Sequence, residues 1–238
     1  MFLCPIAREQ LIQLLPKGGE GLEIGVAEGE FSKVLLDTIK PRKLHLVDPW
    51  AHQARADYDQ DGNNVDDDAQ EARYRSVVAR FASEIREDRV TVHRRYSQDV
   101  AAEFSEGQFD WIYIDGLHSY EGVRSDLERY KGKLKPGGII MGHDYTNNQR
   151  AQQMQFGVVE AVNEFVEKEG FAFLALTHEL FPTYVLGRHL DQPIAQHLIG
   201  HLLYHVPGIV ELRDYPTRRS FEHKIIQVGD RFKVVASF

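Results

Sequence analysis

Asp115 and His118 stand three residues apart in IDGLHSY, and His143 and Asp144 are neighbours in IMGHDY. Carboxylates and imidazoles together are the groups that hold a divalent cation and move a proton near neutral pH. Each pair follows a short apolar run, FDWIYI before Asp115 and GGIIMG before His143. Such runs read as buried strands. In an open α/β sheet ligands gather outside the carboxyl ends of the strands. The two runs therefore deliver all four side chains to one rim. Between them lie a polar helical stretch and the turn Lys135-Pro136-Gly137-Gly138.

A second constellation sits nearer the start, in LEIGVAEGEFS, with Glu23, Gly25 and Gly29. A dinucleotide fingerprint has a second glycine where this chain has Ala27, and it cradles a pyrophosphate on backbone amides. Here Glu28 and Glu30 flank Gly29. Two carboxylates repel a pyrophosphate and suit a cofactor with a positive centre and no phosphate. Asp48 closes the next strand, LHLVDPW, about 20 residues after the turn, where an acid can hydrogen-bond ribose hydroxyls. Ribose, a cation and no phosphate describe S-adenosylmethionine.

The elements that must hold these residues alternate. An opening amphipathic helix runs through MFLCPIAREQLIQLL, with Leu11, Ile12, Leu14 and Leu15 on its apolar side. Strands are expected at 21–27, 44–50, 89–96, 109–115 and before His143. Helices are expected at 31–39, around Tyr74–Ile85, and at 156–168. FAFLALTH and TYVLGRH close the pattern as a strand pair that forms an antiparallel edge. Alternation of this kind gives an α/β, Rossmann-like three-layer sandwich with a mostly parallel, seven-stranded sheet. The expected division is a main domain over 1–189 and a C-terminal extension over 190–238, acting as substrate cap or subunit contact.

At 238 residues and a net charge of −8 the chain has no general field for a phosphate backbone, which argues against nucleic-acid partners. No run reaches the length of a membrane span. The single cysteine, Cys4, excludes an internal disulfide and fits a reducing cytoplasm. The terminal VVASF leaves room for a homo-oligomer through strand pairing.

LEIGVAEGEFS, LVDPW, FDWIYIDGLHSYEGV and LKPGGIIMGHDY, in that order, resemble the motifs of class I S-adenosylmethionine-dependent methyltransferases. Within that superfamily they are most similar to the metal-assisted group of macrocin and mycinamicin sugar O-methyltransferases and the cephamycin-pathway enzyme. The resemblance covers roughly residues 20 to 190. It implies that Glu23, Gly25, Val26 and Gly29 hold the methionine part, Asp48 the ribose, and Ser97 the surroundings of the adenine. It further implies a divalent cation on Asp115, Asp144 and His143, with His118 as the general base. His143 stands where those relatives carry a carboxylate, which shifts the preference from Mg²⁺ toward Mn²⁺ or another transition ion. Tyr120 and Asp126 match the family pattern and read as structural.

Two further patterns compete for a ligand. Asp57, Asp59, Asp61, Gly62 and Asp68 fall at EF-hand-like positions, but Asp68 stands where a bidentate Glu is usual, so a lid over the cofactor mouth is the simpler reading. His197, His201 and His205 recur every four residues and would share one helix face, either as zinc ligands or as the polar side of an amphipathic helix. The expected activity is O-methylation of a small hydroxylated molecule. Its rivals are a nucleotide-dependent oxidoreductase and a non-catalytic cofactor-binding module.

Overall fold

The computed structural model describes residues 1–238. Its first half runs β1 (Phe2–Cys4), α1 (Arg8–Gln13), β2 (Glu20–Ile24), α2 (Glu30–Ile39), β3 (Lys43–Asp48), α3 (Asp67–Arg80), α4 (Ala82–Arg86), β4 (Val90–Arg94) and α5 (Ser97–Val100). Then come β5 (Phe109–Ile114), α6 (Tyr120–Tyr130), β6 (Leu134–Gly142), α7 (Gln149–Gln153), α8 (Val158–Glu169), β7 (Ala172–Thr177) and β8 (Tyr184–Gly187). The chain ends with α9 (Pro193–His205), β9 (Val210–Glu211), β10 (Glu222–Val228) and β11 (Arg231–Ser237).

One sheet carries nine strands in the order β4-β3-β2-β5-β6-β8-β7-β1-β9. β4 through β6 pair in parallel, and β8 enters antiparallel between β6 and β7. Seven of the nine are those announced by the sequence, and β1 and β9 widen the sheet beyond β7. Two core clusters, of 28 and 25 buried residues, cover opposite faces. A parallel sheet requires that double burial. Leu22, Ile24, Ile112 and Ile114 point to one side, and Leu44, Leu46, Trp111 and Tyr113 to the other.

The opening segment is not one helix. Pro5 disfavours helical backbone at Cys4, and Phe2–Cys4 instead pairs in parallel with Ala175–Thr177 of β7. The helix starts only at Arg8. Residues after 189 continue the same core: α9 packs on β6 and buries Ala195, Leu198 and Leu202 in the cluster that also holds the apolar faces of α1 and α2, and β9 adds to β1. β10 and β11 form a separate antiparallel hairpin. Phe221 and His223 at its foot are buried against the stretch after β6. No helix is long and apolar enough to cross a membrane.

The strand order reverses between β2 and β5, which makes a switch point where ligands bind in open α/β sheets. There Asp115 N donates to Ile24 O at 2.7 Å, and His143 N donates to Ile114 O at 3.0 Å. These bonds carry the ladder one residue past the strand ends and fix both acid-bearing loops beside the glycine turn.

Candidate active site

A cavity of about 510 Å³ opens at this switch point, with Glu23, Gly25, Val26, Asp48, Ser97 and Asp115 in its wall. Gly25 has φ +85°, and a Cβ there would lie 1.9 Å from the Asp115 carbonyl oxygen, so only glycine lets β2 and β5 approach. Asp48 ties the turn down: its Oδ2 accepts from Val26 N at 2.9 Å and Ala27 N at 3.1 Å, and its Oδ1 from Trp50 N at 2.8 Å. Burial raises the Asp48 carboxyl, and those amides work against the rise. Ala27 and Trp50 sit at φ 48° and 41°, so non-glycine backbone is strained on both sides of this acid.

Glu23 is 1% exposed and accepts from the Ser32 hydroxyl. Burial pushes its carboxyl up to about 8 despite that bond. Gly29 differs from its neighbours: it begins α2 at φ +73°, does not line the cavity, and faces Phe81 and Val77. Ser97 is the first residue of α5, and its hydroxyl donates to Asp126 Oδ1 at 2.6 Å. Burial pushes the Asp126 carboxyl up to about 6.

Beside the cavity, and sharing Asp115 with it, stands the rim cluster. His118 Nε2 lies 3.0 Å from Asp144 Oδ2 and 3.7 Å from Asp115 Oδ1. His143 Nδ1 lies 3.3 Å from Asp144 Oδ2 and 3.6 Å from Asp115 Oδ1. Asp144 is held at φ 61°, again a costly backbone for a non-glycine residue at a rim. Ligand atoms of Asp115, His118 and Asp144 come within 4.8 Å of one another. The convergent trio thus includes His118, and His143 lies against both carboxylates.

The charges interlock. Burial alone would lower the His118 ring, yet Asp144, Asp115 and Asp61 hold it well above its ordinary value. Burial likewise opposes, and Asp115 and Asp144 overcome, in pushing His143 up to about 10. Burial would raise Asp115, but His143 and His118 hold it well below the carboxylate range. Both nitrogens of His118 face carboxylates, so the ring here is an imidazolium.

Two contacts at the rim are not expected from the sequence, which places Asp61 only in an EF-hand-like spacing and gives Arg8 no role. Asp61 reaches in from the segment between β3 and α3, its Oδ2 3.1 Å from His118 Nδ1. That segment also brings Ala51, Gln53, Arg55 and Tyr58 to the cavity wall. Its EF-hand-like spacing does not gather a calcium site, because Asp57 is taken by Arg55 at 2.7 Å and Asp61 by His118. Arg8, at the start of the helix that follows β1, lies 3.2 Å from Asp115 Oδ2. Its signal was Pro5, which ends β1 and turns α1 over the rim. His197, His201 and His205 do line up on α9, with ring centroids 4.3 and 5.2 Å apart, but no α9 residue lines the cavity.

Residues 22–145, just over half of the chain, match a family described as a methyltransferase domain. No curated protein sequence matches the chain. Among solved structures, a protein from Corynebacterium glutamicum superposes with a TM-score of 0.53 at 15% identity, over 78% of this chain and 82% of that one. The B. subtilis M1A22 tRNA methyltransferase TrmK gives 0.51 at 14%, over 76% and 65%. The pyocyanin biosynthetic protein PhzM gives 0.52 at 12%, over 76% and 54%, so the chain spans about half of that protein. At such identities the structures speak for the fold, and the family match speaks for the class. The chain belongs to the methyltransferase-domain family, as a class I S-adenosylmethionine-dependent methyltransferase.

Proposed function

We propose that this protein transfers the methyl group of S-adenosylmethionine to a hydroxyl oxygen of a small hydroxylated acceptor, a sugar or a natural product, with a divalent cation at the rim. The observation that carries this reading is the convergence of Asp115, His118 and Asp144 next to the cavity. Asp115 and Asp144, with His143 Nδ1 at 3.6 and 3.3 Å from them, would hold Mn²⁺ or a similar ion, with Mg²⁺ tolerated, and leave His118 for the proton. A cation held there supplies a Lewis acid that orients paired hydroxyls and acidifies one.

The chain's own groups divide the remaining work. Glu23 and the backbone of Gly25 and Val26 hold the methionine end, and Asp48 holds the ribose. Gly29 acts one step back, by starting α2. Ser97, fixed by Asp126, borders the adenine. With the Asp115 and Asp144 charges that keep it protonated offset by a bound ion, His118 would release its Nε2 proton to solvent. It would then take the hydroxyl proton there, while Asp61 stabilises the charged ring at Nδ1. The acceptor's new O–C bond forms as the C–S bond breaks, and a neutral thioether leaves. The net charge of −8 and the acidic wall favour a small acceptor over a phosphate backbone.

Calorimetry with S-adenosylmethionine, with and without Mn²⁺ or Mg²⁺, tests the cofactor and cation together. Binding of the nucleoside and of the ion is expected. Absence of nucleoside binding under both conditions rejects the reading.

A further inference from the structure

The cavity holds a cation with unspent donors. Arg8 lies at the start of α1 with its side chain only 23% exposed. Nη1 donates to Asp115 Oδ2 at 3.2 Å and to the Tyr113 hydroxyl at 3.4 Å, and Nε reaches Glu9 at 3.4 Å. The guanidinium carbon stacks 4.2 Å over the Phe31 ring, which fixes the plane of the fork. A guanidinium carries five N–H donors. The two on Nη2 make no hydrogen bond within the chain.

Two other arginines line the same wall, and both are occupied. Arg55 chelates Asp57 at 3.0 and 2.7 Å. Arg73 spans the Asn63 carbonyl at 3.0 Å and Glu28 at 3.5 Å. Arg8 is the one of the three anchored on the rim acid Asp115, and it shares the wall with the buried carboxyl of Glu23. A carboxyl that can ionise and a half-committed cation in the same wall suit the two charged ends of an amino acid.

We infer that Arg8 binds the α-carboxylate of the cofactor's amino-acid end, opposite Glu23, which meets the ammonium. This rests on the cofactor reading above. A planar fork with one nitrogen already anchored loses little freedom on gaining a carboxylate, and charge-assisted bonds of this kind are the stronger ones. The N-terminal segment thereby becomes part of the cofactor site, because β1 and Pro5 set the entry of α1 above the rim.

The test compares two nucleosides on the full-length chain. S-adenosylhomocysteine carries the amino-acid end, and 5′-methylthioadenosine keeps the nucleoside and thioether without it. Binding of each is measured by calorimetry for the wild type, Arg8→Ala and Arg8→Lys, with thermal melts to establish folding. Arg8→Ala should weaken S-adenosylhomocysteine by roughly tenfold to a hundredfold and leave 5′-methylthioadenosine within about twofold. Arg8→Lys, which keeps charge but loses the fork, should fall between and carries the comparison if the alanine variant does not fold. Unchanged affinity for S-adenosylhomocysteine overturns the inference. So does equal weakening of both ligands, which would make Arg8 a support for Asp115 only. A wild type that binds neither nucleoside rejects the cofactor reading itself, and that outcome is distinct from the other two.

Discussion

Asp61, carried on the long connection between β3 and α3, docks its carboxylate 3.1 Å from Nδ1 of His118 on the opposite side of the switch point. A segment that covers the cofactor cavity is thereby fastened to the residue that faces both rim carboxylates. Asn63 N donates to the other oxygen of Asp61 at 2.8 Å, which orients the acid. Asp61→Ala should free the 51–66 connection and leave His118 with one ring nitrogen unpaired. Turnover should drop by about tenfold to a hundredfold, the range seen when a carboxylate supporting a site histidine is lost. Limited proteolysis should cut within 51–66 faster than in the wild type. Unchanged turnover and unchanged cutting would detach Asp61 from both roles.

Glu23 gives the site a pH dependence with a definite sign. Burial pushes its carboxyl up to about 8, whereas an ammonium partner needs it ionised. Below about pH 8 ligand binding must therefore expel a proton. Affinity for S-adenosylhomocysteine should climb by up to about tenfold per pH unit and level off above about pH 8. In the free protein the same shift acts oppositely: the raised carboxyl favours folding most below its unfolded value, and that contribution disappears as pH rises through about 8. Glu23→Gln should bind more weakly and lose the slope. A slope that persists in Glu23→Gln assigns it to another group.

His93 predicts an acid limit to stability. Its Nε2 lies 3.0 Å from Nδ1 of His45, and burial, then the His45 charge, push its ring down to about 4. An unfolded histidine titrates near about 6.5, so the folded chain binds fewer protons between those values. The contribution is complete above about pH 6.5 and is lost as pH falls toward about 4. Denaturation midpoints should fall across that window, and His93→Gln should flatten the fall. An identical profile in the variant would contradict the assignment.

Gly25→Ala should destabilise the protein by about 2–4 kcal/mol and abolish cofactor binding, since the added methyl meets the Asp115 carbonyl and φ is +85°. A urea titration reads the first effect and calorimetry the second. Gly29→Ala is the comparison: φ there is +73°, but its added methyl meets the Phe81 and Val77 side chains at 3.1 and 3.2 Å and no backbone atom. That variant should keep more binding than Gly25→Ala.

The rim was legible because its residues follow two strongly apolar runs, whose presence as strands is unambiguous even where their exact ends are not. Glu23, Gly25, Val26 and Asp48 reached the cavity wall for the same reason, and Ser97 did so from the first turn of α5. Gly29 did not, because a glycine in a turn reads alike whether it faces a ligand or a helix. Arg8 and Asp61 were hidden for another cause. Each depends on a long-range docking, of α1 over β5 and of the 51–66 connection over α6, that local periodicity does not encode. β1 was masked by the helical pattern after it, and three strand residues are too few to show alternation.

The central claim is that Asp115 and Asp144 serve methyl transfer to oxygen through a bound cation. Its most direct measurement is mass spectrometry of small molecules from a cell extract incubated with the protein and isotopically labelled S-adenosylmethionine. The account predicts a labelled O-methyl product that is lost with a metal chelator, regained with Mn²⁺, and absent with Asp144→Asn. A labelled product that forms equally well in the chelator and with Asp144→Asn, or a label carried on nitrogen, would contradict it.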